Sequence, residues 1–288
     1  MKAKRFMENA IHGWFLLMGL VTVGCVLLIS VYLIISGIPA IREIGLVEFL
    51  FGPVWDSNAA IPQFGILPFI LTSVYGTAGA ILLGVPVGFM TAVFLAKMAP
   101  PGLKSAVSSA VSLLAGIPSV VYGLVGMLVL VPGIRRIFHI PDGSGLLAAI
   151  IVLAIMILPS IINVAMTALE AVPKEYEDAS LALGATATET WFRVSVPAAR
   201  SGIAAAVVLG VGRAIGEAMA IILVAGNVSN MPGLFTPVRF LTTGIVSGMG
   251  YAQVGSLYHQ ALYSIGLVLF LFIMLINVFL NVCVKNRK

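Results

Sequence analysis

The chain alternates between long apolar stretches and short polar intervals. Apolar runs lie at about residues 14–35, within 66–95, within 106–130, and at about 146–169, 203–224 and 262–282. Each can supply the roughly 20 apolar residues that a helix needs to cross hydrocarbon. Lipid offers no partner to a free backbone N–H or C=O, so a spanning apolar segment is expected to be helical. The pattern therefore predicts an all-α membrane protein with six transmembrane helices, as one domain over 1–288. The second run exceeds a single crossing, which predicts tilt or an interfacial start. The first run follows Lys2, Lys4 and Arg5 and outlasts the core of a cleaved leader, so it reads as an uncleaved first span.

Composition strengthens this picture. The chain is 60% hydrophobic and only 9% charged, against about 25% charged residues in a soluble domain. With the N-terminus in the cytoplasm, eleven of the sixteen Lys and Arg residues fall inside. They include Lys97, Lys104, Lys174, Arg193, Arg200, Lys285, Arg287 and Lys288. Arg42, Arg135, Arg136 and Arg239 fall outside, and Arg213 lies within a span. That bias predicts cytoplasmic ends for both termini. The net charge of +5 is scattered over short loops, so it gives no nucleic-acid surface. Cys25 and Cys283 sit in or beside apolar runs, and His12, His139 and His259 stand apart. Nothing there predicts a metal or cofactor.

Small residues recur at Gly79, Gly84 and Gly88 and at Ser109, Ala110 and Gly116, where they favour close helix packing. Pro86, Pro118 and Pro159 predict kinks. The outer segments Gly37–Gln63 and Asn227–His259 are turn-rich yet apolar, which suits short interfacial helices or re-entrant pieces.

The longest hydrophilic stretch, 170–200, has the pattern of a helix, a turn and a second helix. Pro173 suits a first helical turn, Gly184 interrupts, and Thr188, Glu189, Trp191 and Phe192 begin a second amphipathic piece that Pro197 bends. Such a hairpin suits a groove on a partner or the lipid interface. Its residues resemble the coupling loop of ABC importer permeases, which reads Glu-Ala-Ala, three residues, Gly, nine residues, Ile, one residue, Leu-Pro. Here Asp178-Ala179-Ser180, Gly184, Val194 and Val196-Pro197 keep every gap, with Glu177 as a neighbouring acid. The resemblance implies a type I ABC importer permease fold with a cytoplasmic coupling helix. It also implies that these residues dock on a separate ATPase subunit. The sequence has no Walker-type glycine loop, so ATP hydrolysis is expected in that partner and not in this chain.

The fifth run contains Gly212-Arg213-Ala214-Ile215-Gly216-Glu217. Ionisable residues in an apolar span are costly and mark a pathway by default. On a continuous helix Arg213 and Glu217 share a face and can pair, while Gly212 and Gly216 admit another backbone. The pair reads either as a structural lock or as a cation for a passing anion, restrained by Glu217. Arginine's fork suits a phosphate group.

This segment, with Ala225-Gly226-Asn227, resembles the membrane subunits of the phosphate importer. Phe49 to Trp55, Phe64 to Ile70 and Ile117 to Gly123 resemble the PstC type more than its PstA sister. The resemblance implies inward passage of phosphate in a prokaryotic cytoplasmic membrane. It implies a related permease subunit, two ATP-binding subunits and an extracytoplasmic phosphate-binding protein, which would meet the outer segments around Trp55 and Phe235. The sister subunit, a sulfate or molybdate permease and an ATP-independent secondary transporter remain alternatives.

Overall fold

Without a polar break between Trp14 and Ile35, nothing in the sequence stops the first helix, and α1 runs from Lys2 to Ile44, through Gly37 and Pro39. The computed structural model describes residues 2–285, with side chains at Met7 and from 11 to 278. The side chains of Lys2, Lys4, Arg5, Cys283 and Lys285, and residues Arg287 and Lys288, lie outside that description. After α1 come a short helix, α2 (Leu46–Phe51), and two antiparallel two-residue strands, β1 (Trp55–Asp56) and β2 (Gln63–Phe64), with Trp55 opposite Phe64. Helix α3 (Leu67–Val93) continues into a π-helical segment, Phe94–Met98.

The third apolar run departs from expectation. A single span over 106–130 is not formed. Helix α4 (Pro101–Gly116) stops at Ile117, which is extended at φ −70° and ψ 129°. Pro118 is the cause, because its ring disfavours a helical conformation in the residue before it. The chain restarts as α5 (Ser119–Val125), a π segment (Gly126–Leu130) and α6 (Val131–Phe138). The Tyr122 hydroxyl donates to the Leu114 carbonyl across the break at 2.8 Å, which satisfies one freed backbone oxygen.

Helix α7 (Leu146–Glu170) is the most enclosed element, with residues from Leu146 to Leu169 in the core. It packs along α3, and the glycines explain how closely. A methyl group added at Gly84 would stand 2.7 Å from Ile157 Cδ1 and 3.1 Å from the Ala154 carbonyl oxygen. Small residues let the backbones meet where lipid gives helices little hydrophobic reason to associate.

The polar stretch then forms α8 (Lys174–Ala182), α9 (Ala187–Thr190), a π segment (Trp191–Ser195) and α10 (Val196–Ala198). Helix α11 (Arg200–Gly216) comes next at a bend of 72° and crosses α7, and α12 (Met219–Val224) packs on α5. Helices α13 (Leu241–Met249) and α14 (Leu257–Lys285) follow, and α14 runs beside the C-terminal part of α1. Among the described residues, five helices are long and apolar enough to cross a membrane, and a sixth if the bent pair 187–198 and 200–216 is one span.

Trp55 is buried at 8% exposure among Phe64, Phe69 and Tyr258. Its side chain therefore belongs to the core, while the segment around it remains at the end of the bundle. The Phe235 ring is partly exposed and packs against Phe138.

Candidate functional site: a polar hairpin and a broken helix

Two regions carry the polar chemistry, at different levels of the bundle. The first is the hairpin 174–198. Helix α8 ends at Ala182 with Leu183 as its C-cap, and Gly184 takes φ +87°, a left-handed conformation. Its N–H donates to Leu181 O at 3.0 Å, and Ala185 N–H donates to Ser180 O at 3.3 Å. These two bonds form a Schellman cap, which wants glycine at this position. A Cβ on Gly184 would meet no atom within 4 Å, so the requirement is conformational and not spatial. Two residues later Thr186 and Glu189 form a reciprocal capping box that starts α9. Ser180 and Thr190 share a 2.9 Å hydroxyl bond between the two arms.

The motif residues divide by where they point. Asp178, Ala179, Gly184 and Pro197 are exposed, together with the apolar side chains of Tyr176, Leu181, Leu183 and Phe192. Ser180, Val194 and Val196 are half-buried, and Val196 packs against the cluster around Ala199 and Ala206. Glu177 turns the other way. Its Oε1 accepts from Lys97 Nζ and from Ser195 Oγ, the latter at 2.7 Å. Burial alone would raise the Glu177 carboxyl. The hydrogen bonds from Lys97 and Ser195, with the charges of Lys97 and Lys174, outweigh that effect and hold it below the usual carboxylate range.

Lys97, Ser195 and Thr186 were not among the expected site residues. Thr186-Ala187-Thr188-Glu189 carries the Thr-x-x-Glu signature of a capping box, so Thr186 was readable. Lys97 and Glu177 are 80 residues apart, and no local pattern joins them.

The second region is the end of α11. Arg213 and Glu217 do not pair. The helix ends at Gly216, and Glu217 is extended at φ −74° and ψ 130°. The four-residue spacing therefore no longer places both side chains on one face. The Glu217 carboxylate instead accepts from Ala220 N–H at 3.0 Å, inside the start of α12. Its carbonyl accepts from the Thr242 hydroxyl at 2.8 Å. The two ion pairs among the described residues are Lys97–Glu177 and Lys104–Glu170. Arg213 is thus a half-buried cation without a carboxylate partner among the described residues. Gly212 and Gly216 also differ from expectation. A Cβ at either would meet nothing within 4 Å, so no other backbone among the described residues approaches them.

Beyond α12, Gly226 (φ +83°) and Asn227 (φ +55°) are both left-handed and turn the chain sharply. Asn227 Nδ2 donates to Ile222 O at 2.6 Å, and its own carbonyl accepts from the Arg239 guanidinium. Arg239 also lies over the Phe69 ring at 5.8 Å and lines a polar cavity of about 460 Å³ with Asp56, Ser57, Asn58 and Tyr258.

Solved structures of type I importers share this arrangement of helices. One is a bacterial ABC transporter that imports alginate, at TM-score 0.68, 16% identity and coverage of 98% of this chain and 99% of that one. Another is the MetNI methionine ABC transporter in inward-facing form, at TM-score 0.60, 21% identity and coverage of 77% and 97%. At these identities the likeness establishes the fold. Sequence relatives are nearer. The probable ABC transporter permease protein YqgH of Bacillus subtilis is 39% identical over 265 residues, covering 90% of this chain and 86% of that protein. The phosphate transport system permease protein PstC of Mesorhizobium japonicum is 35% identical over 249 residues, covering 80% and 75%. Its Haemophilus influenzae counterpart is 33% identical over 264 residues, covering 84% and 82%. The family model for the inner membrane component of binding-protein-dependent transport systems matches residues 84–286, a range that takes in the hairpin and the broken helix alike. The chain is a multi-pass membrane permease and belongs to that family.

Proposed function

We propose that this chain is the membrane-spanning subunit of an ATP-driven importer that carries inorganic phosphate inward. The PstC relatives support the substrate, and the hairpin supports the coupling to a separate ATPase. The observation that carries the reading is Arg213. A charge in an apolar bundle is expensive unless it serves a pathway, and this one has no carboxylate to neutralise it among the described residues. Its planar fork can meet two oxygens of one phosphate. Glu217, fastened to the next helix, fixes the break beside Arg213 and adds a negative charge that helps an anion leave.

In this reading Asp178, Ala179 and Gly184 present the exposed face of α8 to the ATPase, with Leu183 as an apolar contact at 90% exposure. The hairpin lies in the cytoplasm, as do both termini, and the loop containing Trp55 and the turn at Phe235 lie outside. A related permease chain, a pair of ATPase subunits and an extracytoplasmic phosphate-binding protein complete the assembly.

The test is uptake of radiolabelled phosphate by the assembled complex in liposomes, with ATP on the hairpin side and sulfate and molybdate as competitors. ATP-dependent uptake diluted by phosphate alone is the expected result. Uptake diluted by another oxyanion would keep the ATPase coupling and discard the substrate. Uptake without ATP, by an intact complex, would discard the coupling.

A further inference from the structure

The hairpin is joined to the bundle by its chain ends, at α7 before it and α11 after it. Glu177 makes a third connection, to a helix that is remote in sequence. Its partner Lys97 lies in the π segment that closes α3, and Ser195 lies in the π segment between α9 and α10. A π segment inserts a residue into the helical ladder and so re-aims the side chains beyond it by about 100°. Both donors to Glu177 therefore come from backbone that departs from regular α-helix. The contact is enclosed, with the Lys97 and Glu177 side chains 10% and 19% exposed and Ser195 fully buried. The neighbouring Asp178 points outward, so the two adjacent acids face opposite directions.

We propose that Glu177 is a positioning residue which ties the hairpin to α3 through Lys97, so that a push on the hairpin moves α3 together with α7 and α11. Helix α3 with its π end spans 32 residues, about 48 Å at 1.5 Å per residue, and it begins beside the Trp55 cluster at the opposite end of the bundle. Its glycine face locks it to α7. A displacement at Lys97 is therefore delivered along the whole bundle. Without the tie, the hairpin would keep its chain ends and the apolar packing of Val196 but lose its polar hold on the end of α3. A residue whose only task was to meet the ATPase would be exposed, as Asp178 is.

This inference rests on the ATP-driven import proposed above. The experiment measures phosphate taken up per ATP hydrolysed by the whole complex in liposomes, alongside its thermal stability. Glu177→Gln and Lys97→Met should each lower that ratio about fivefold, the lower end of coupling between linked sites. The double variant should be no worse than either single one, because both remove the same contact. Lys97→Arg, which keeps a cation, should retain most of the ratio in a complex of equal stability. Singles that lose stability but keep the ratio would make the contact a strut only, and overturn the inference. Additive losses in the double variant would overturn it too. A wild-type complex that shows no ATP-driven uptake removes the shared premise, and is recognised by its failure before any variant is compared.

Discussion

The hairpin and the broken helix handle charge in opposite ways. In the hairpin, Glu177 and Glu189 each have donors close at hand, and both carboxyls are held below the usual range. For Glu177 burial opposes that shift and is outweighed by Lys97 and Ser195; for Glu189 the Thr186 backbone and hydroxyl are the main causes. At the end of α11, Glu217 is satisfied by backbone and Arg213 has no carboxylate partner among the described residues. A region that must keep its shape while being pushed benefits from answered charges. A region that must exchange a ligand benefits from a charge left open. The two regions are linked by α11 itself, whose first turn adjoins the hairpin and whose last turn carries Arg213.

The largest effect should come from removing the open charge. Arg213→Gln should lower phosphate uptake about 10- to 100-fold, the scale of charge-assisted hydrogen bonds at roughly 1.5–3 kcal/mol. Glu217→Gln keeps an acceptor for Ala220 N–H and should lose much less. The measurement is the initial rate of labelled uptake, with assembly checked by size-exclusion chromatography. Dissociation of the Arg213 variant, or equal losses in the two variants, would erase the contrast between ligand-facing and structural charge.

The hairpin should respond to its caps by a smaller amount. Gly184→Val forces a β-branched residue into a left-handed conformation, at about 1–2 kcal/mol. Amide exchange at residues 184 and 185 should then speed up by about 5- to 30-fold. Thr186→Ala removes one acceptor and should cost about 1 kcal/mol, read at the Glu189 amide. If Gly184→Val leaves both amides as protected as before, the Schellman cap is not what sets the turn.

The same contrast explains what was legible in the sequence. The apolar runs mark the helices, because hydrocarbon demands continuous apolar length. The motif spacing 178–197 marks the hairpin, because caps and turns are local chemistry. The break at 117–118 shifts the third span by one helix. Pro118 is visible there, but apolar residues on both sides hide its consequence. The break at Glu217 carries little local signal beyond Gly216, since Ala218, Met219 and Ala220 are ordinary helix formers. It is held by tertiary bonds from Thr242 and by the turn of Glu217 onto α12. The burial of Trp55 was not legible for a related reason. Its burial depends on Phe69 and Tyr258, and Tyr258 is far away in sequence.

The smallest expected effect concerns pH, and its sign comes from Glu177. The carboxyl is held below its ordinary range in the folded hairpin, so it binds fewer protons there than in the unfolded chain. A group depressed in this way contributes stability that is fully present above its unfolded value, near ~4.3 for glutamate, and is lost as pH falls through the folded value. The tie to Lys97 should therefore hold unchanged from neutral pH down to the ordinary glutamate range, and weaken only below it. Amide exchange in α8, tracked from pH 7 downward, should show protection falling in the wild-type chain below that point. Glu177→Gln should be less protected at neutral pH and should converge on the wild type in acid. Parallel profiles that never converge would mean that the carboxylate charge contributes nothing to holding α8, leaving the hairpin to its caps and its two chain ends.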